Sequence, residues 1–333
     1  MQKLWKKMRA AWVAALLLTL SAGCSTAKPQ SAPAAQDGKK LQVVASFYPL
    51  ADFAKNVGKD LADVRNLVPP GVEPHDWEPK PNDMKTISQA NVFIYNGAGF
   101  EPWIDKVLAS VDQSKLVVVD ASGGIDLLKS QEQDVHGQDE QKNEQKQDQH
   151  PDAHEHRHGE YDPHIWLDPV NAQKQVQQIA EAFAKADPQH KDQYEKNAKE
   201  YISQLQALDN EYKTELAKVK RKDIVTTHAA FGYLAHRYGL HQLPIMGLAP
   251  DAEPTPKAMA EIVKEAREHD VKYIFFETLV SPKVADTIAK EVGAQTLVLN
   301  PIEGLTEEEL NKGENYISKM KENLQNLVKA LGN

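Results

Sequence analysis

At 333 residues the chain has room for two domains, each with its own core. Its 39 Lys and Arg against 48 Asp and Glu leave a net charge of -9, which excludes the basic face that a nucleic-acid partner requires. A single cysteine, Cys24, excludes an intrachain disulfide and a thiolate metal cage.

The chain opens with Lys3, Lys6, Lys7 and Arg9, then an apolar run from Ala10 to Leu20, then Leu20-Ser21-Ala22-Gly23-Cys24. A basic start, a short apolar core and small residues read as a secretory signal over 1–23, too short for a stable membrane span. The L-S-A-G-C ending resembles a bacterial lipobox, which implies cleavage before Cys24 and lipidation of its sulfur. Residues 24–40 then read as the lipidated cysteine and a tether without apolar periodicity. An extracytoplasmic protein, lipid-anchored to the cell membrane, is expected.

Leu41–Phe47 forms a first buried strand, followed by a helix over Leu50–Gly58 and a strand over Val64–Val68. The loop Gly71–Pro79 comes next. A helix begins around Pro81-Asn82-Asp83 with Asn82 as its N-cap. Val92–Tyr95 is a strand, Glu101–Val111 a helix and Leu116–Asp120 a strand. Short apolar runs alternating with helical segments point to parallel strands covered by helices. Residues 129–160, rich in Gln, Asp, Glu, Lys and His, break the pattern and are expected to be disordered without metal.

A helix runs from Pro169 to Ala186, and Asp187-Pro188 opens another, Asp187 as N-cap and Pro188 at the first position. Tyr194, Ala198, Tyr201, Leu205, Leu208, Tyr212, Leu216 and Val219 then mark one apolar stripe. A helix from 188 to about 220 would be about 50 Å long and would reach from one domain to the other. The second half repeats the alternation: strands at Ile224–Thr227, Leu240–Ile245, Tyr273–Phe276 and Thr296–Leu299, helices at Ala229–Tyr238, Pro256–Asp270 and Ser281–Val292, and a long C-terminal helix. The expected fold is α/β: an N-terminal lobe over 41–187, a rigid linking helix over 188–221 and a C-terminal lobe over 222–333, each lobe a mainly parallel sheet covered by helices.

Twelve histidines carry the chemistry, and six of them fall between His136 and His164. The stretch from His150 to Pro169 has two halves. His136 and the tract His150, His154, His156 and His158 read as a flexible, low-affinity metal collector. Asp162-Pro163-His164-Ile165-Trp166-Leu167-Asp168-Pro169 frames one histidine between two Asp-Pro pairs and a large aromatic, and reads as a fixed ligand. Ligands in open α/β sheets bind beyond the carboxyl ends of strands. His75, in a loop stiffened by Pro74 and Pro79, His228, directly after Ile224–Thr227, and Glu303, just beyond Leu299, lie in such places. With His164 they make three imidazoles and a carboxylate, two donors from each lobe, a plausible tetrahedral zinc set. Glu277, at the end of the Tyr273–Phe276 strand, or water competes with Glu303 for the fourth position. Neutral imidazoles are needed, so affinity should fall below about pH 6.5. Asn96-Gly97-Ala98-Gly99 sits where a dinucleotide loop would, but Pro102 replaces its third glycine, and nucleotide binding is not expected. His190, His236, His241 and His269 are read as surface or core residues without a ligand role.

The succession His75 in E-P-H-D-W-E-P, the His-rich loop, His164 in D-P-H-I-W-L-D-P, the long helix, His228 in T-H-A-A-F-G-Y-L and L-N-P-I-E-G-L resembles the zinc-specific solute-binding lipoproteins of bacterial ABC metal uptake systems. The likeness runs from about Leu41 to the end. It implies two lobes bridged by a backbone helix, a Zn2+ ion in the cleft, and ligand roles for His75, His164, His228 and Glu303. It also implies a membrane permease as partner and a monomer that is not an enzyme. Manganese binders of the same wider family carry carboxylates in place of His228, so this residue bears much of the zinc assignment. The alternatives are that manganese-binding type and a zinc-dependent hydrolase, although the chain has no H-E-x-x-H helix. Some relatives are described as adhesins, a role on which the sequence carries no signal.

Overall fold

The structure, a computed structural model, describes residues 39–130, 159–250 and 254–332. The signal segment, Cys24, the tether up to residue 38 and the loop histidines His136, His150, His154, His156 and His158 lie outside the described residues.

Two four-stranded sheets organise the chain. The first contains β1 (Leu41–Ala45), β2 (Ala62–Asn66), β3 (Val92–Tyr95) and β4 (Val117–Asp120), and the second β5 (Asp223–Thr226), β6 (His241–Pro244), β7 (Tyr273–Phe276) and β8 (Gln295–Val298). Every pairing is parallel, and the orders β2-β1-β3-β4 and β6-β5-β7-β8 are the same topology used twice. Central strands read as apolar runs because helices cover both faces, as in Val92–Ile94 and in Ile274-Phe275.

The first sheet is covered by α1 (Tyr48–Gly58), α2 (Pro81–Gln89), α3 (Ile104–Ser110) and α4 (Pro169–Ala186). Helix α2 differs from the sequence reading. Lys80, not Asn82, sits at its N-cap, because Pro81 takes the first helical position and the Asp83 carboxylate accepts the Lys80 N–H at 3.0 Å. Asp168 caps α4, accepting from the Val170 N–H at 2.8 Å with Pro169 at the first position.

The linking helix α5 spans Lys191–Leu216, 26 residues or about 39 Å, shorter at both ends than expected. Pro188–His190 forms a separate 3-10 turn, since the Asp187 carboxylate takes the Tyr194 hydroxyl and the His190 ring instead of capping the helix. At the other end the Lys222 ammonium takes the Leu216 carbonyl as the chain turns into β5. The second sheet carries α6 (Gly232–Tyr238), α7 (Pro256–Glu268), α8 (Lys283–Val292), the short α9 (Glu307–Asn311) and α10 (Tyr316–Leu331).

Helix α5 packs on α1 and α4 of the first lobe and on α10 of the second. Tyr201 donates to Asp52 on α1 at 2.9 Å, and Tyr212 donates to the Met320 carbonyl on α10 at 2.6 Å. Helix α10 is a second bridge. Its Tyr316 ring packs edge-on against Phe53 of α1, 4.9 Å between centroids, and its hydroxyl donates to the Trp166 carbonyl at 2.5 Å. One apolar cluster therefore runs from Leu41 and Val43 through Trp166 and Leu205 to Phe275 and Leu327, through both lobes, while smaller clusters line the outer face of each sheet. Among the described residues no helix is long and apolar enough to cross a membrane.

Candidate metal centre

Both sheets point their carboxyl ends at one cleft. His75 stands in the loop after β2, where a turn closed by the Trp77 N–H on the Pro74 carbonyl (3.2 Å) and a Trp77–Trp103 edge contact fix the backbone. His164 ends the Asp-Pro-His segment and leads into a 3-10 turn, Ile165–Leu167. His228 follows β5, and Glu303 follows β8 by way of Leu299–Ile302.

The structure brings His75, His164, His228 and Glu303 together, with ligand atoms all within 4.8 Å of one another. The finer distances are more telling. Glu303 Oε1 lies 3.3 Å from His75 Nε2, 3.3 Å from His164 Nε2 and 3.4 Å from His228 Nε2. His164 Nε2 lies 3.4 Å from the Nε2 of both His75 and His228. Zinc bonds of about 2.0–2.1 Å to four tetrahedral donors put those donors about 3.3 Å apart. Five edges of this tetrahedron thus already have the length that zinc would impose.

The donors are deeply set. His164 and His228 are fully buried and Glu303 is 1% exposed, leaving His75 as the one donor on the rim. Phe100 lies against His75 and Trp166 against His164, at ring separations of 4.8 and 5.3 Å, so water is kept from the sides of the cleft.

Two further carboxylates orient the rings. Asp162 Oδ1 meets His164 Nδ1 at 2.8 Å and accepts the His164 N–H at 2.9 Å, while Glu277 Oε1 meets His228 Nδ1 at 2.6 Å and accepts the Thr227 hydroxyl. A carboxylate on Nδ1 fixes the proton there and leaves Nε2 as the donor to a cation. Glu277 therefore supports His228 from behind, and the carboxylate that reaches the centre is Glu303. Gly232, at the start of α6, is required by Asp162, since a Cβ there would collide with the carboxylate. Tyr233 of the same helix donates to the Asp162 carbonyl at 2.9 Å, and Arg237 pairs with Asp168 at 2.5 Å, tying α6 to the segment that bears His164.

Charge follows this geometry. Burial works against protonation of His228, but Glu277 and then Glu303 outweigh it and hold the imidazole well above its usual range. His164 is raised against burial in the same way by Asp162 and Glu303. Burial alone would raise Glu303, yet the three imidazoles hold it well below the usual carboxylate range. Glu73 is pushed up to about 8, by burial first and then by the charge of Glu303.

Asp162 and Glu277 thus stand behind the imidazoles, Glu277 in place of the fourth position for which it rivalled Glu303. The i, i+2 spacing of Asp162 and His164 was a usable signal, whereas nothing local joins Glu277 to His228. The other histidines among the described residues are elsewhere: His190 pairs with Asp187, His241 and His269 both face Asp223, and His236 is exposed. At the glycine-rich turn after β3, the Asn96 and Gly97 amides that a phosphate would need already donate to Glu101, at 2.7 and 3.1 Å.

Fold and site together define a two-lobed α/β binding protein with an imidazole-rich cation centre in its cleft. Residues 43–330 match the family described as zinc-uptake complex component A, periplasmic, and the chain belongs to that family. It is 46% identical over 328 residues to the high-affinity zinc uptake system protein ZnuA of Bacillus subtilis, covering 98% of this chain and 99% of that one. It is 42% identical over 291 residues to the zinc-binding lipoprotein AdcA of Streptococcus pneumoniae, covering 87% of this chain and 56% of AdcA, so it spans about half of that relative. The crystal structure of the Zn(II)-bound ZnuA-like domain of AdcA superposes with a TM-score of 0.72 at 39% identity, over 89% of this chain and all of that domain.

Proposed function

We propose that this protein captures Zn2+ outside the cytoplasm with His75 Nε2, His164 Nε2, His228 Nε2 and Glu303 Oε1, and delivers it to the membrane permease of an ABC transporter. The observation that carries the reading is that five of the six donor separations are 3.3–3.4 Å, the edge length of a tetrahedral zinc site. Manganese favours more oxygen donors than one carboxylate supplies. Four protein donors close the shell and leave no position for an activated water, which supports a carrier over a hydrolase. Membership in a zinc-uptake family supports the permease as partner, and the L-S-A-G-C sequence supports a lipid on Cys24 as the membrane anchor.

His136, His150, His154, His156 and His158 serve in this reading as a low-affinity collector. The described flanks support it. Lys129 and Tyr161 pair antiparallel, Ser130 N–H donates to the Glu160 carbonyl at 3.0 Å, and Asp162 N–H to the Leu128 carbonyl at 2.9 Å. The flanks of the histidine-rich stretch, Leu128–Ser130 and Glu160–Asp162, are therefore paired with each other two to four residues before His164.

Competitive metal titration by calorimetry on residues 25–333 tests the reading. One tight zinc site is expected, lost in His228→Ala, together with weak sites that disappear when residues 131–158 are deleted. A tight site that prefers manganese, or that survives His228→Ala, would mean that the ligand set is wrong.

A further inference from the structure

Four non-glycine residues among those described have positive φ: Lys59, Ala98, Asp270 and Ile302. Ile302 differs from the others. It is β-branched, it is fully buried in the central apolar cluster, and at φ 58° it adopts a conformation that such side chains avoid. It also stands immediately before Glu303. Strained backbone persists only where its surroundings over-determine it, and it gathers at functional sites.

The surroundings here are explicit. Asn300 Oδ1 accepts the Ile302 N–H at 2.7 Å, so the Asn300 side chain closes the turn on its own backbone. Asn300 Nδ2 donates to Thr278 Oγ1 at 3.0 Å, beyond the end of β7. The Asn300 backbone is gripped by Asn323 of α10, which accepts its N–H at 2.8 Å and donates to its carbonyl at 2.7 Å. From the other lobe, Trp166 Nε1 donates to the Pro301 carbonyl at 2.7 Å. The turn that aims Glu303 is thus held from β7, α10 and the His164 segment at once.

What this achieves is visible in the carboxylate. Glu303 Oε1 faces all three imidazoles, while Oε2 is buried and meets no hydrogen-bond partner among the described residues. We propose that Ile302 and Asn300 are positioning residues: the left-handed turn they form restricts Glu303 to one-oxygen ligation, which fixes the coordination number at four and sets the preference for zinc over cations that demand more oxygens. The inference rests on the zinc-site reading above. Were Ile302 to relax to negative φ, the Glu303 side chain would leave this direction, and its carboxylate could chelate through both oxygens or leave room for a water molecule beside it. Both outcomes add oxygen donors and suit manganese better than zinc.

The test uses Co2+ as a spectroscopic stand-in for zinc, since tetrahedral cobalt absorbs strongly in the visible and five- or six-coordinate cobalt weakly. Asn300→Ala removes the acceptor that holds Ile302 but leaves the Asn300 backbone bonds to Asn323. Thr278→Val, at an exposed position, loosens the same side chain more gently and guards against a folding failure. The wild-type chain should show tetrahedral bands. Asn300→Ala should weaken and shift them, lose about 10–100-fold in zinc affinity, and narrow the ratio of zinc to manganese affinity, with Thr278→Val shifting both in the same direction by less. Folded variants with wild-type bands and an unchanged ratio would reduce Ile302 and Asn300 to structural residues and overturn the inference. A wild-type chain without tetrahedral bands would overturn the zinc-site reading, and this inference with it.

Discussion

His228 is held at both ring nitrogens: Glu277 meets Nδ1 at 2.6 Å, and Glu303 faces Nε2 at 3.4 Å. Both carboxylates favour the imidazolium and outweigh the burial that opposes it, so in the metal-free protein the ring stays protonated to a pH above its ordinary value. Zinc needs the Nε2 lone pair and must displace that proton. As pH falls through the raised value, protons compete more strongly, so zinc affinity should begin to decline already above about 6.5, the unperturbed imidazole value. Glu277→Gln removes one of the two raising charges. Its decline should start at a lower pH than in the wild type, while its affinity at pH 8 should be about 10–100-fold weaker because the ring loses its orienting partner. Calorimetric titration of both proteins from pH 5 to 8 measures the two curves; superimposable curves would show that Glu277 does not govern the ring.

At the scale of elements, the junction of α1 and α5 hides a carboxylate. Burial pushes Asp52 up to about 6, although Tyr201 and Lys55 pull the other way. A carboxyl raised in the folded state stabilises the fold below its unfolded value, near 3.8, and that contribution is lost as pH rises through about 6. At pH 8 the buried charge costs up to about 3 kcal/mol, at 1.36 kcal/mol per unit. Asp52→Asn keeps an acceptor for Tyr201, so it should gain up to that amount at pH 8 and little at pH 4. Urea unfolding at the two pH values reads the difference, and an equal effect at both would contradict it. Much of this level was legible in the sequence. The strands announced themselves as apolar runs such as Val92–Tyr95, and the spacing from Tyr194 to Leu216 showed the bridging stripe of α5. The bridge through α10 was not legible, because Tyr316 looks like any helical aromatic until Phe53 and Trp166 are found beside it. The same holds for the site. His75, His228 and Glu303 lay beyond readable strand ends and His164 in a segment marked by its two Asp-Pro pairs, whereas the pairing of Glu277 with His228 and the turn at Ile302 exist only through tertiary packing.

Across the whole molecule, one continuous apolar cluster joins the lobes without any contribution from a metal ion. The protein should therefore remain folded after chelation, and added zinc should stabilise it by mass action, by about 2.7 kcal/mol at a free concentration one hundred times Kd. Near-ultraviolet circular dichroism and thermal unfolding before and after chelation check this. Collapse of the tertiary signal on chelation would make the metal structural and not cargo.

The double bridge through α5 and α10, with Trp166 hydrogen-bonded to Pro301 across the cleft, also has a consequence for timing. These contacts contain no metal, so much of the disorder that the donor-bearing segments must surrender should be given up when the chain folds. Capture is then limited by the encounter and by stripping water from the ion, with little reorganisation left to perform. The slow event should then fall at the far end of the cycle, with the clock of uptake set by whatever pulls the ion out.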